Sequence, residues 1–197
     1  GENSPRKIID GIELSLKYGF ASCTIKNMGK YLLINNSGTY NVKLNKQQLR
    51  LDEIRMYVKS IHKWENKQAI GELLMIHTNS SDNSRVIICI PIVGSKNAIP
   101  TVPSENWFSA IKDFIPSSLG NQSCPNTPNF SLDNIIPKFN NKIVSSFLHY
   151  KSKDFIPPCF AGISDKKTTF IVFDLSAGHN ITITNSEIVD FYSSHET

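Results

Sequence analysis

Long apolar runs are missing from these 197 residues. The longest, Val86 to Val93 with Pro91 counted in, is eight residues, far short of the roughly 20 that a membrane-spanning helix needs. Cysteine is scarce and scattered. Cys23, Cys89, Cys124 and Cys159 form no C-x-x-C pair, so a zinc knuckle is not expected, and two disulfides in three connectivities, or none, stay open. Histidine numbers five, and none lies between Gly1 and Ile61. No glycine-rich phosphate loop and no G-x-S-x-G setting for a nucleophilic serine occurs. No basic stretch followed by an apolar one opens the chain, so no signal peptide is read there; this leaves the compartment undecided.

What is present fits one domain over residues 1–197, with 40% apolar and 19% charged residues. The net charge is only +4, and no basic stripe interleaved with aromatics appears, so no nucleic-acid partner is expected. The basic excess is local. Lys43, Lys46, Arg50, Arg55, Lys59, Lys63 and Lys67 face only Asp52, Glu53 and Glu65 in the same segment. Such a segment can offer contacts to an acidic ligand, or it can line solvated strand edges that resist edge-to-edge pairing. Sequons stand at Asn35, Asn79, Asn121, Asn129 and Asn180. With 19 Asn and 33 Ser plus Thr, chance alone supplies about three such motifs, so the five reflect an Asn/Lys/Ile-rich, AT-biased usage better than a glycosylation programme.

The alternation of polarity reads as mainly β (α+β). Thr24–Asn27, Tyr31–Ile34, Thr39–Leu44 and Leu49–Val58 are expected strands, the last with its apolar residues on changing faces. Ile70–His77 and Val86–Val93 read as a hairpin, with Cys89 a small buried hydrophobe. Trp107–Ile115 reads as a helix capped by Ser104, and residues 117–128 as a long loop. Ile143–Tyr150, Thr168–Leu175 and Ile181–Thr184 are further expected strands.

Read in order, several stretches resemble the alpha-carbonic anhydrase family. Asn3-Ser-Pro-Arg-Lys-Ile resembles its Gln-Ser-Pro-Ile-x-Ile opening, and Ile25-Lys-Asn-Met-Gly-Lys30 its Ile-x-Asn-Asn-Gly-His. Ser60-Ile-His62, then Gly71-Glu-Leu-Leu-Met-Ile-His77-Thr-Asn79, is similar to Ser-Glu-His followed by x-Glu-x-His-x-Val-His-x-Asn. Phe130-Ser-Leu-Asp-Asn-Ile-Ile-Pro137 resembles Leu-x-x-Leu-Leu-Pro, and Tyr150 with Pro157-Pro-Cys159 the Tyr…Pro-Pro-Cys segment. The resemblance implies a twisted, mainly antiparallel central sheet with short peripheral helices.

It also implies a dismantled metal site. The family holds zinc with three neutral imidazoles and leaves one position open for an ionising water. The matching residues here are Arg55, Tyr57 and Leu74: a permanent cation, a phenol that ionises near pH 10, and a side chain without a lone pair. No shift of register rescues them, since no histidine precedes His62. The family's proton-shuttling histidine falls on Lys30, its gate glutamate on Ile61 and its gate threonine on Phe155. No metal, no cofactor and no catalysis are therefore expected. His62, Glu72 and His77 match structural positions, with Glu72 read as a hydrogen-bonding partner and Arg55 as its candidate mate.

Family members lacking zinc ligands serve as binding modules, among them phosphatase ectodomains, intracellular relatives and a poxvirus envelope protein that binds chondroitin sulfate. The last is similar in its stretches matching Ile25–Lys30 and Leu132–Pro137 and in a Tyr at the position of Tyr57. The expected function is a surface-displayed recognition module, on a cell, virion or parasite, for an acidic polysaccharide or a protein. Lys59, Lys63 and Lys67, with Lys43, Lys46 and Arg50, are its candidate contacts. A structural or assembly subunit of a larger complex is the alternative. The family's Cys after Pro-Pro pairs with one ahead of the Ser-Pro opening. That partner has no counterpart in this sequence, so Cys23 or Cys124 substitutes or Cys159 stays free.

Overall fold

The computed structural model describes residues 6–9, 11–19, 22–37, 40–100, 102–124, 131–136, 138–139, 142–143, 147–152, 167–175 and 180–193. The first hairpin, β1 (Arg6–Ile9) and β2 (Ile12–Ser15), turns at Gly11, whose φ of +77° suits a residue without Cβ. Then come β3 (Ser22–Asn27), β4 (Leu32–Ser37), β5 (Val42–Leu44) and β6 (Gln47–Val58). A small hairpin, β7 (Lys63–Trp64) and β8 (Lys67–Gln68), leads into β9 (Gly71–Asn79) and β10 (Arg85–Gly94). Helix α1 (Pro103–Ile111) precedes β11 (Gln122–Ser123), β12 (Lys138–Phe139), β13 (Lys142–Ile143) and β14 (Phe147–Lys151). The described chain ends with β15 (Thr168–Phe173), β16 (Ile181–Ile183) and α2 (Ile188–Ser193).

Among the described residues fourteen strands join one sheet, ordered β12-β13-β1-β2-β5-β6-β9-β10-β15-β14, with β4 also on β6, β3 on β4, β11 on β3 and β16 on β10. Most neighbours are antiparallel, as expected. Three pairs are not: β13 lies parallel to β1, and β15 and β16 parallel to β10. The sheet is mixed, because strands that return over long connections escape the reversal a tight hairpin imposes.

The phase of β6 sets everything that follows. Leu49 and Leu51 have odd numbers, Ile54 and Met56 even ones, yet all four join the same buried cluster. A register shift against β9 between Leu51 and Glu53 inserts the extra residue that reconciles them. Each such side chain stabilises the fold by about 1.5–3 kcal/mol when buried, so the bulge keeps two large residues in the core. It also turns Glu53, Arg55 and Tyr57 to the opposite face.

β9 is buried at every residue. Its Leu73 and Met75 enter the main core with Ile88, Ile90, Trp107 and Phe108, while Leu74 and Ile76 enter a second cluster with Tyr57, Ile87, Cys89, Phe170 and Val172. Helix α1 starts four residues earlier than expected, and Ser104 does not cap it: Val102 is the N-cap and Pro103 opens the first turn. Ser104 Oγ instead accepts the Thr182 N–H at 3.0 Å, docking the helix on β16. The loop expected at 117–128 contains β11, paired with Lys26 and Ile25. Of the strand expected over Ile143–Tyr150, Ile143 closes β13 and Phe147–Tyr150 belong to β14, with 144–146 outside the described residues. Asn3-Ser-Pro, Asn129, Phe155 and Pro157-Pro-Cys159 lie outside the described residues.

Candidate functional site

Register brings the key residues of the second face together. Arg55 lies opposite Leu74 and Tyr57 opposite Glu72 on β6 and β9. Cys89 of β10 lies opposite Leu74 on its other side, and Val172 of β15 opposite Cys89. Because side chains alternate, Arg55, Tyr57, Glu72, Leu74, Cys89 and Val172 share one face.

Arg55 is held from three sides. Its Nε and Nη2 lie 2.8 and 2.6 Å from Glu53 Oε1, and its guanidinium carbon sits 4.5 Å from the centroid of the Tyr31 ring. Burial acts to lower its pKa, but hydrogen bonding with Tyr57 and the Glu53 carboxylate outweigh it and raise the value. Tyr57 packs on Tyr31 with ring centroids 5.3 Å apart, and Leu74 is fully buried. The expected pairing of Glu72 with Arg55 does not form. Glu72 stands opposite Tyr57, and both its oxygens are taken elsewhere: Oε2 accepts the N–H groups of Ile61 and His62 at 2.7 and 2.9 Å, and Oε1 accepts His62 Nδ1–H at 2.5 Å. With Nδ1 as donor, His62 Nε2 accepts the Tyr150 hydroxyl at 2.6 Å. Tyr150 in turn stacks on Phe170 at 4.7 Å. Sequence reading did not bring Tyr150 and His62 together, nor Arg55 and Glu53. The second pair had a signal, since residues two apart on a strand share a face.

Donor atoms of His62, Glu72 and Cys89 lie within 4.8 Å of one another. Ligands around a tetrahedral zinc stand about 3.4 Å apart at bond lengths near 2.1 Å. A cation there would have to break the 2.5 Å bond between His62 and Glu72, which in the present geometry is a hydrogen-bonded brace beside Cys89. His77 lies on the other face, fully buried, with Nδ1 donating to the Val86 carbonyl at 3.2 Å and Nε2 accepting the Tyr18 hydroxyl at 2.8 Å. Burial pushes its pKa down to about 4. Lys30 is exposed, and Ile61 is half-buried against the second cluster.

The basic residues fall into two groups. Lys43, Lys46 and Arg50 sit where β5 turns into β6, Arg50 bonded to Asp52 at 2.8 Å. Lys59, Lys63 and Lys67 are exposed at the far end of β6 and on the β7–β8 hairpin. Arg50 and Lys59 are separated by roughly 30 Å at 3.3 Å per residue, several Debye lengths at physiological salt. The second group adjoins the second cluster: Trp64 packs against that cluster and donates Nε1–H to the Phe173 carbonyl at 3.0 Å, fixing the hairpin.

No family model and no curated protein matches this sequence. Solved structures do. The alpha-carbonic anhydrase of Thermovibrio ammonificans, in complex with the inhibitor sulfanilamide, superposes with a TM-score of 0.72 at 12% identity, over 98% of this chain and 74% of that one. The chain has the alpha-carbonic anhydrase fold. A carbonic anhydrase of Chlamydomonas reinhardtii in complex with acetazolamide gives 0.70 at 19% identity, over 92% and 71% of the two chains. Dioscorin complexed with ascorbate gives 0.64 at 16%, over 92% and 67%. At these identities the likeness is one of fold, and the chemistry of this chain rests on its own residues.

Proposed function

We propose that this chain is a non-catalytic recognition module on a carbonic-anhydrase-like scaffold, displayed at a surface and binding an acidic polysaccharide. One observation carries the non-catalytic reading: Arg55, Tyr57 and Leu74 share one face, engaged by Glu53, Tyr31 and apolar neighbours. Three lone pairs cannot converge there on a dication, and a guanidinium repels one. The acidic ligand is supported by exposed Lys59 just past β6 and exposed Lys63 and Lys67 on the hairpin beside this face. A polyanion would bind them with an affinity that falls steeply with salt.

The test has two arms. The purified chain should not hydrate CO₂, and zinc titration should give no site that Arg55→Ala, Tyr57→Phe or Leu74→Ala alters. On heparin or chondroitin sulfate columns it should bind at low salt and elute below about physiological strength. Charge reversal at Lys59, Lys63 and Lys67 together should abolish retention while far-UV spectra and melting stay near wild type. Hydration activity overturns the first claim. Flow-through of the native chain at low salt overturns the polyanion claim, and docking of a protein partner or a role as an assembly subunit then replaces it.

A further inference from the structure

Cys23 and Cys124 are 101 residues apart and meet at the edge of the sheet. β11 pairs with β3 through Gln122 opposite Lys26 and Ser123 opposite Ile25. The next residue, Cys124, therefore comes alongside Thr24 and Cys23. A strand separation of about 4.8 Å and a rise of about 3.4 Å place the Cα atoms of Cys23 and Cys124 roughly 6 Å apart, inside the 4.4–6.8 Å span of disulfides; the same register sets Cys124 opposite Thr24, so closing the bond requires the backbone at Cys124, past the last ladder pair, to turn toward the Cys23 face. Cys124 lies at the end of the ladder, and its Sγ turns inward to 3.4 Å from the Cys23 carbonyl oxygen. Cys124 is exposed, Cys23 is buried, and both are free thiols.

We propose that Cys23 and Cys124 are a modification site: a cross-strand thiol pair that a small-molecule disulfide converts to a protein disulfide, latching β11 to β3. Exposure fixes the order of events. The Cys124 thiolate attacks a sulfur of the oxidant, for example oxidised glutathione, and one glutathione leaves as thiolate and takes up a proton. Cys23 then loses its proton to solvent and attacks Cys124 Sγ, and the second glutathione leaves. Two protein thiols are oxidised and one glutathione disulfide is reduced to two thiols. Burial, with neighbouring Cys124, pushes the Cys23 thiol up to about 11, so only about one molecule in a thousand is the nucleophilic thiolate at pH 8. The second step is the slow one.

The latch would secure a segment already laid on β3. Asn27 Nδ2–H donates to the Pro116 carbonyl at 2.9 Å, Gly120 N–H to the Asn27 carbonyl at 2.7 Å, and Ser123 Oγ–H to the Phe114 carbonyl. Oxidation should therefore slow proteolysis near Leu119, which is exposed.

The experiment treats the native chain with oxidised glutathione and follows intact mass after acid quench. A one-glutathione adduct should rise first and give way to a species lacking two hydrogens, with a Cys23–Cys124 linked peptide. Closure should speed about tenfold per pH unit between pH 7 and 9, following the Cys23 thiolate. Cys23→Ser should keep its adduct. Cys124→Ser, altered only at an exposed position, should gain neither adduct at Cys23 nor cross-link. An adduct that never closes in wild type, a link from Cys124 to Cys89 or Cys159, or wild-type behaviour of Cys124→Ser each overturns the proposal. None of these readouts depends on binding a polyanion.

Discussion

Acidification should unfold this chain partly through one ring. His77 is fully buried between β6 and β10, with Tyr18 and the Val86 carbonyl on its two nitrogens. Burial lowers its pKa from 6.5 to about 4, against small opposing contributions from the Val86 carbonyl and the Asp52 carboxylate. Between those values the unfolded chain binds a proton that the folded chain refuses. Stability is therefore unaffected above pH 6.5, falls as pH drops, and stops falling from this source below about 4. The window of 6.5 to about 4 corresponds to roughly 3 kcal/mol at 1.36 kcal/mol per unit, a large share of a typical 5–15 kcal/mol. Urea titrations at pH 7.5, 6, 5 and 4 would compare wild type with His77→Gln. The variant should be less stable at pH 7.5, by about 1–3 kcal/mol for the disturbed buried bonds, and should lose roughly 3 kcal/mol less on acidification. Parallel curves, or a His77 resonance titrating at pH 6 or above in the folded protein, would refute the reasoning.

Two further outcomes test packing and surface. Gly71→Ala would place Cβ 2.4 Å from Phe191 Cζ and 2.7 Å from the Tyr57 carbonyl oxygen, whereas Gly94→Ala meets only the end of Ile188 at 2.8 Å; chemical denaturation should show the first destabilised by about 1–3 kcal/mol and the second much less. In a glycosylating host, glycopeptide mass spectrometry should find sugar on exposed Asn35 or Asn121 and none on Asn79, which is buried with Nδ2 bonded to Gln47 Oε1 at 2.7 Å; folded protein occupied at Asn79 contradicts the placement.

The strands that were legible in the sequence are those whose composition leaves no choice. Val86–Val93 is rich in β-branched residues and apolar on both faces, Leu73–Ile76 is apolar on both faces, and the two strands form the twin-buried centre of the sheet. Where the chemistry depended on distant register, legibility stopped. Tyr150 reaches His62 only because β14 pairs with β15, β15 with β10, and β10 with β9, a chain of contacts that no local pattern encodes. The Arg55 partner failed differently. Glu72 was a reasonable mate by charge, but Glu53 is two residues away on the same face, and proximity along one strand decided between them. The likeness to a known family located the fold correctly; it could not supply the parallel pairs, because direction is set by connections whose sequences are unremarkable.

The extra residue at Asp52 works as a phase shifter. Upstream of it, odd-numbered side chains point inward; downstream, even-numbered ones do. Inside and outside in the second half of β6 are thus assigned by a backbone irregularity and not by the identities of Arg55 and Tyr57 themselves. Length changes in this strand are therefore not equivalent to length changes in the turns that flank it. Removing one residue at the bulge would force either the leucine pair or the Ile54–Met56 pair out of the core and carry Arg55 in. The count of residues between Leu51 and Ile54 is fixed by parity.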